Sequence, residues 1–67
     1  MQQAAPAGIQ ELVTALADEN ETIRWMAASG LRQIGGVHVA GVLQAFIQQT
    51  NNPIAREEAE KTLQLLS

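Results

Sequence analysis

An internal repeat constrains this chain more than any other feature, because one pattern of apolar and basic residues occurs twice within 67 residues. Leu12 recurs as Leu43 at an offset of 31 residues, and Ala27 recurs as Ala59 at an offset of 32. The full set of recurring positions is Leu12, Leu16, Arg24, Ala27, Leu31 and Ile34 in the first copy and Leu43, Ile47, Arg56, Ala59, Leu63 and Leu66 in the second. One residue inserted in a loop would account for the change of offset. A period of this size is typical of repeat proteins, in which each unit buries an apolar face against its neighbour.

The beginning of the first copy has the apolar spacing of an amphipathic helix. Its apolar residues stand at positions i, i+3, i+4 and i+7, which share one helical face: Ile9, Leu12, Val13 and Leu16. Residues 1–8 contain Pro6 and Gly8 and lack this spacing, so we expect a flexible leader with a helix starting near its end. The first helix is therefore predicted to run from Ile9.

A second helix is predicted after a polar turn. Asp18 and Asn20 provide side-chain oxygens that favour a turn and an N-cap, and Gly35 with Gly36 ends the helix after Ile34. The residues expected to face the core of the protein from this helix are Ile23, Ala27, Leu31 and Ile34.

The second copy predicts two more helices. The third runs from about Val37 to Gln49, and its apolar arc is wide enough to predict burial on two sides. After a loop at residues 50–52, Pro53 suits the first turn of a fourth helix, where its missing N–H costs no hydrogen bond. This helix is expected to direct four residues inward: Ile54, Ala59, Leu63 and Leu66.

Composition excludes several functional classes. The chain has no cysteine and a single histidine, His38, so we expect no disulfide, no metal site and no catalytic nucleophile and base. Its net charge is −3 and its four basic residues are scattered, which disfavours binding of nucleic acid. Its apolar runs are far shorter than the roughly 20 residues that span a bilayer. We therefore expect a soluble cytoplasmic protein without a membrane anchor or a cofactor.

The segment LADENETIRWMAASGLRQIGG, residues 16–36, resembles a HEAT-like repeat of the short type found in phycobilisome-lyase-like proteins. The residues that carry the resemblance are Asp18, Ile23, Arg24, Ala27, Ala28, Leu31, Ile34 and Gly35. The second copy keeps Arg56, Ala59 and Leu63 but has Thr50 in the turn in place of an acid. With its longer turn and acidic outer face, this copy is similar to a C-terminal capping repeat.

The resemblance implies an all-α fold in which two antiparallel helix pairs stack as a short right-handed α-solenoid. Residues 9–67 would form one domain, with repeat one at 9–36 and repeat two at 37–67. The second helix of each pair would line a concave surface. Asp18 and Arg24 would bridge carbonyls and adjacent repeats, as a structural ion pair or as a cap. The residues expected on the outward side are Glu21, Thr22, Trp25, Met26, Ser29 and Gln33 in repeat one and Pro53, Ile54, Glu57, Glu58, Lys61 and Leu65 in repeat two.

The function predicted is a non-catalytic interaction or scaffold module that presents a helical surface to a protein partner. The residues predicted to bind the partner are Glu21, Thr22, Trp25, Met26, Ser29, Gln33, Glu58 and Lys61. The resemblance leaves open an alternative, in which the chain is a bilin-lyase-like or other enzyme-associated HEAT subunit. Trp25 also has two interpretations, since it could contact a partner or pack against the leader or a preceding repeat.

Self-association is a further expectation from the repeat number. Two repeats are fewer than the roughly three that such arrays usually need for stability. We expect either a homodimer of C2 symmetry or neighbouring repeats in a longer chain. The contact is predicted on the first helix, through a face that carries Val13 and Ala17 and is extended by Trp25.

Overall fold

A computed structural model of the protein describes residues 7–66 and shows four α-helices within them: α1 (Ala7–Ala15), α2 (Glu21–Ile34), α3 (Gly36–Gln49) and α4 (Pro53–Leu65). Helix α1 packs against α2 and α3 packs against α4, which gives two helical hairpins. The hairpins stack through contacts of α2 with α4 and of α1 with α3. No strand occurs in the described part of the chain. The predicted all-α fold, two helix pairs stacked as a short α-solenoid, is confirmed.

Helix α1 begins earlier than its apolar spacing suggested. It starts at Ala7, so the last two residues of the predicted leader, Ala7 and Gly8, belong to the helix. The rest of the leader, residues 1–6, lies outside the described residues.

One apolar core runs between the two hairpins and draws on all four helices. Its buried members are Ile9, Val13, Leu16, Ala27, Leu31, Val39, Leu43 and Ala59. The recurring positions of the sequence therefore supply most of the core, because leucine and alanine from equivalent places in the two copies meet along the stack. This part of the sequence prediction is confirmed.

Three isoleucines that were predicted to face the core are exposed instead. Ile23 lies in the first turn of α2, Ile54 lies in the first turn of α4, and Ile34 is the last residue of α2. Their exposed fractions are 38%, 54% and 48% respectively. Helix ends project past the helices that pack against them, so correct helical spacing does not guarantee burial there. The prediction of inward positions was wrong for these three residues.

Helix α3 is buried on two sides, as its wide apolar arc predicted. Val39 and Leu43 are fully buried, and Val42 and Phe46 are partly buried against the same core. Val42 and Phe46 lie beside Val13 of α1. The prediction that Val13 lies on an open dimer face is therefore wrong, because α3 covers it and leaves it only 5% exposed.

The extra residue of the second copy lies in a helix and not in a loop. Residues 16–20 join α1 to α2, whereas only residues 50–52 join α3 to α4. The offset changes between Ile47 and Thr50, a stretch that forms the last turn of α3. The expectation of a longer turn in repeat two is wrong, since the inserted residue lengthens α3 at its C-terminus.

A single residue, Gly35, connects the two hairpins. Its φ of 62° and the φ of 86° at Gly36 fall in a region that residues with a Cβ rarely adopt. The Gly35 N–H donates to the carbonyl of Leu31 and so caps α2. These glycines let the chain reverse within one residue, which sets α2 and α3 close together at the junction of the repeats. Within residues 7–66, no helix is both long enough and apolar enough to cross a membrane.

Candidate functional site

Arg24 holds the loop that precedes its own helix. Its Nη1 donates to the main-chain carbonyls of Asp18, at 2.7 Å, and of Glu19, at 3.1 Å. The predicted ion pair between Asp18 and Arg24 is wrong, because the guanidinium is directed at neutral carbonyl oxygens and not at the Asp18 carboxylate. The other expectation, that the two residues bridge carbonyls or cap the turn, agrees with these contacts and with the Asn20 N–H donating to Asp18 Oδ1. Arg24 is therefore a structural residue that ties the 16–20 loop to α2.

Arg56, 32 residues after Arg24, makes equivalent hydrogen bonds in repeat two. Its Nη2 donates to the carbonyl of Thr50 at 2.7 Å, and its Nε donates to the carbonyl of Ile47 at 3.3 Å. Both arginines therefore use guanidinium N–H groups to bind carbonyls left free around the turn. Neither is placed to contact a partner as its main role.

The N-caps of α2 and α4 are also equivalent. Asn20 Oδ1 accepts from the N–H of Thr22, and Asn52 Oδ1 accepts from the N–H groups of Ile54 and Ala55. Each asparagine N–H in turn donates to the side chain two residues earlier, Asp18 Oδ1 in the first copy and Thr50 Oγ1 in the second. A hydroxyl thus replaces the missing turn acid of repeat two, and the turn keeps its geometry while losing a charge.

A groove of about 320 Å³ lies where α2 and α4 pack side by side, across the boundary between the repeats. The residues that line this α2–α4 groove are Trp25, Ala28, Ser29, Arg32, Glu58, Lys61, Thr62 and Leu65. Trp25 and Leu65 are large apolar residues that remain 62% and 63% exposed. Ala28 and Thr62 are small enough to form the floor, and Thr62 is buried with its hydroxyl donating to the Glu58 carbonyl.

Positive charge is concentrated in the groove, although the chain as a whole is acidic. Of the four basic side chains, Arg24 and Arg56 bind loop carbonyls, and the other two, Arg32 and Lys61, both line the groove. Glu58 is the one acidic residue among its lining residues, and it already forms an ion pair with Lys61 at 3.9 Å. Arg32 has no carboxylate partner within residues 7–66 and contacts only the hydroxyl of Ser29, at 3.3 Å.

A second surface lies along α2 on the side that points away from α4. We call it the α2 outer face, and its residues are Thr22, Met26, Ser29, Gly30 and Gln33, with Trp25 on the ridge that it shares with the groove. Met26 is 63% exposed. Gly30 is accounted for by packing, because a Cβ at this position would lie 3.1 Å from the Leu12 side chain of α1.

The predicted partner-binding residues therefore divide between two surfaces. Glu58 and Lys61 line the groove alone, Thr22, Met26 and Gln33 line the α2 outer face alone, and Trp25 and Ser29 line both. Glu21 is exposed at the start of α2 and lines neither surface.

Four groove residues were not among the predicted contacts, namely Ala28, Arg32, Thr62 and Leu65, although Leu65 was expected on the outward side. Arg32 follows Trp25 by seven positions and so shares its helical face, a signal that the sequence does contain. Thr62 became part of the groove through the packing of α4 on α2, which sequence spacing cannot reveal.

The described residues place no cluster of acidic and histidine side chains where a metal ion would bind; no group of three comes together within residues 7–66. His38 is exposed near the start of α3. The arrangement that the structure does present is a shallow, partly apolar and locally positive surface on two helices.

Comparison with known proteins gives one result that bears on this arrangement. The family model for HEAT repeats matches residues 2–64, which is nearly the whole chain. The search of curated proteins and the search of solved structures returned no match. The family match does not distinguish the phycobilisome-lyase-like type from other HEAT repeats, so that part of the resemblance stays a prediction. The match covers both stacked helix pairs, and the loops of these pairs share the same hydrogen bonds. The chain belongs to the HEAT-repeat family.

Proposed function

We propose that this protein is an interaction module whose α2–α4 groove binds a short segment of a partner protein. HEAT repeats generally mediate protein–protein interaction or scaffolding and are typically non-catalytic. The observation that carries the proposal for this chain is the groove itself, where two exposed apolar side chains, Trp25 and Leu65, line one surface with Arg32, a cation without a carboxylate partner within residues 7–66.

The chemistry of the groove favours a particular kind of partner segment. An apolar side chain would cover Trp25 and Leu65, since tryptophan is among the residues that most often dominate binding energy at interfaces. A carboxylate next to it would accept hydrogen bonds from Arg32, whose planar guanidinium suits that group. We therefore propose an acidic segment with an aromatic or aliphatic anchor.

Rigid helices would make such binding efficient. Trp25 and Arg32 project from α2, and Lys61 and Leu65 project from α4, while the buried faces of both helices hold them in register. Little backbone order then has to be created on binding, so less of the contact energy is lost to entropy.

Selection from a displayed library of random peptides tests this function. We expect the protein to enrich peptides in which Asp or Glu adjoins an aromatic or aliphatic residue. Binding of a selected peptide should change the fluorescence of Trp25, which is the single tryptophan in the chain.

Two groove variants and two control variants test whether the α2–α4 groove is the binding site. Trp25→Ala and Arg32→Glu should each weaken binding of the selected peptide at least tenfold, whereas Val37→Ala, at an exposed apolar residue of α3, and Gln64→Glu, at an exposed polar residue of α4, should leave it unchanged. Affinities that are the same for all four variants would refute the groove as the binding site. A library that yields no enriched peptide would refute the proposed function.

A further inference from the structure

The packing of α4 against α2 shows which helical positions repeat two uses for contact with its neighbour, and these positions can be compared with their equivalents in α2. Helix α4 packs against α2 with Glu58 and Thr62 lining the groove between them, and Ala55 lies on the same face of α4 as these two residues. Ala55 and Thr62 are buried and Glu58 is partly buried. At the offset of 32 residues, the equivalent positions in α2 are Ile23, Met26 and Gly30. The same helical face therefore exists on both helices.

The two copies of this face differ in what covers them. On α4 it is covered by α2, whereas on α2 Ile23 is 38% exposed and Met26 is 63% exposed. Gly30 alone is sheltered, and its neighbour is Leu12 of α1. Met26 and Gly30 of the α2 outer face thus occupy positions that repeat two uses for helix packing.

Charge determines which occupant this face suits. Its residues Thr22, Met26, Ser29 and Gln33 carry no charge, so two copies can meet about a twofold axis without placing like charges together. The opposite end of the stack differs, because the α4 residues equivalent to Trp25 and Ala28 are Glu57 and Glu60. Two such acidic faces would repel each other.

We infer that the α2 outer face is the site of symmetric self-association, with α2 packing against α2 of a second copy. With the twofold axis perpendicular to the helices the pair is antiparallel, so that Thr22 faces Gln33 of the second copy and Met26 lies beside Ser29 of the second copy. Helix α1 contributes less, because Glu11 occupies the position equivalent to the apolar Val42 of α3. This changes the location predicted from sequence from α1 to α2.

Self-association on this face leaves the α2–α4 groove available. Met26 and Gln33 line the outer face and not the groove, whereas Arg32 and Lys61 line the groove and not the outer face. Trp25 and Ser29 line both surfaces and are the residues through which dimer formation would affect groove binding.

Sedimentation equilibrium of the whole chain over a wide concentration range tests the inference. We expect a reversible monomer–dimer equilibrium with dimer present at micromolar concentration. Met26→Glu should weaken dimer formation at least tenfold, since it places two like charges near the twofold axis. Gln33→Glu should weaken it less, since position 33 lies at the end of the contact, opposite Thr22 of the second copy and next to the Glu21 carboxylate of that copy. Gln64→Glu introduces the same charge on the far side of α4 and should leave the equilibrium unchanged.

Circular dichroism of each variant shows whether the helices are retained, which is expected because all three positions are exposed. A chain that stays monomeric at every concentration would overturn the inference. So would a dimer that Gln64→Glu disrupts and that both α2 variants leave intact. The peptide-binding test is independent, because groove binding by a monomer remains detectable if the dimer fails.

Discussion

Repeat one and repeat two have similar turns and core positions but different outer surfaces. Their loops are built with the same hydrogen bonds, from Arg24 and Asn20 in the first copy and from Arg56 and Asn52 in the second. Their outer surfaces differ, since α2 presents an uncharged face with exposed Met26, whereas the far side of α4 is acidic. The positions that recur in the sequence are those that close the turns and fill the core.

This difference shows what a repeat must keep and what it can change. The turn needs an acceptor two residues before the N-cap asparagine, and either the Asp18 carboxylate or the Thr50 hydroxyl supplies it. A face that packs against a neighbour must be compatible with it, but an end face can become acidic without loss of the fold. The outer surfaces of the two repeats can therefore diverge while the framework stays the same.

The largest expected effect on stability comes from a core position at which the two repeats differ in burial. Leu31 is fully buried, whereas its equivalent, Leu63, is only partly buried. Leu31→Ala should lower the free energy of unfolding by about 2–5 kcal/mol. Leu63→Ala should lower it by roughly half as much, because the Leu63 side chain buries less apolar surface on folding. Urea denaturation measures both losses. Equal losses would show that the two positions are packed alike.

A smaller effect tests the role of the loop arginines. Arg24→Ala should cost about 1.5 kcal/mol, the order expected when charge-assisted hydrogen bonds to carbonyls are removed. Asp18→Asn should cost much less, because the amide oxygen of asparagine can still accept from the Asn20 N–H. Thermal denaturation of the two variants makes the comparison. If Asp18→Asn destabilised the protein as much as Arg24→Ala does, the ion pair predicted from sequence would be supported after all.

The N-caps should give the smallest effects and the most similar ones. Asn20→Ala and Asn52→Ala each remove a side-chain acceptor from the first turn of a helix, at a cost of about 1 kcal/mol. Melting temperatures of the two single variants should fall by nearly the same amount. A loss confined to one variant would mean that the matching hydrogen bonds do not stabilise the two turns equally.

The fold could be predicted in outline because its main signals are local or periodic. Helical spacing from Ile9, the N-cap at Asn20, the glycines at Gly35 and Gly36 and the proline at Pro53 each act within a few residues. The repeat then supplied the long-range information, since equivalent helices must pack in equivalent ways. These signals are enough for the helices and their order, but not for the exposure of Ile23 at a helix end.

The candidate site was predictable only in part. Trp25, Ser29, Glu58 and Lys61 were predicted as contact residues, and packing brings them to one groove. That groove lies between helices from different repeats, so its shape depends on the packing of α4 against α2. Spacing along one helix could not separate the groove from the α2 outer face, because Trp25 and Ser29 line both surfaces.

The central claim is that α2 and α4 share a framework, while the outer face of α2 self-associates and the far side of α4 does not. Nuclear magnetic resonance of the whole chain at increasing concentration tests this claim most directly. Amide chemical shifts of Thr22, Met26 and Gln33 should move with concentration, while those of Glu57, Glu60 and Gln64 stay fixed. Shifts that move on the far side of α4, or on neither helix, would contradict the account.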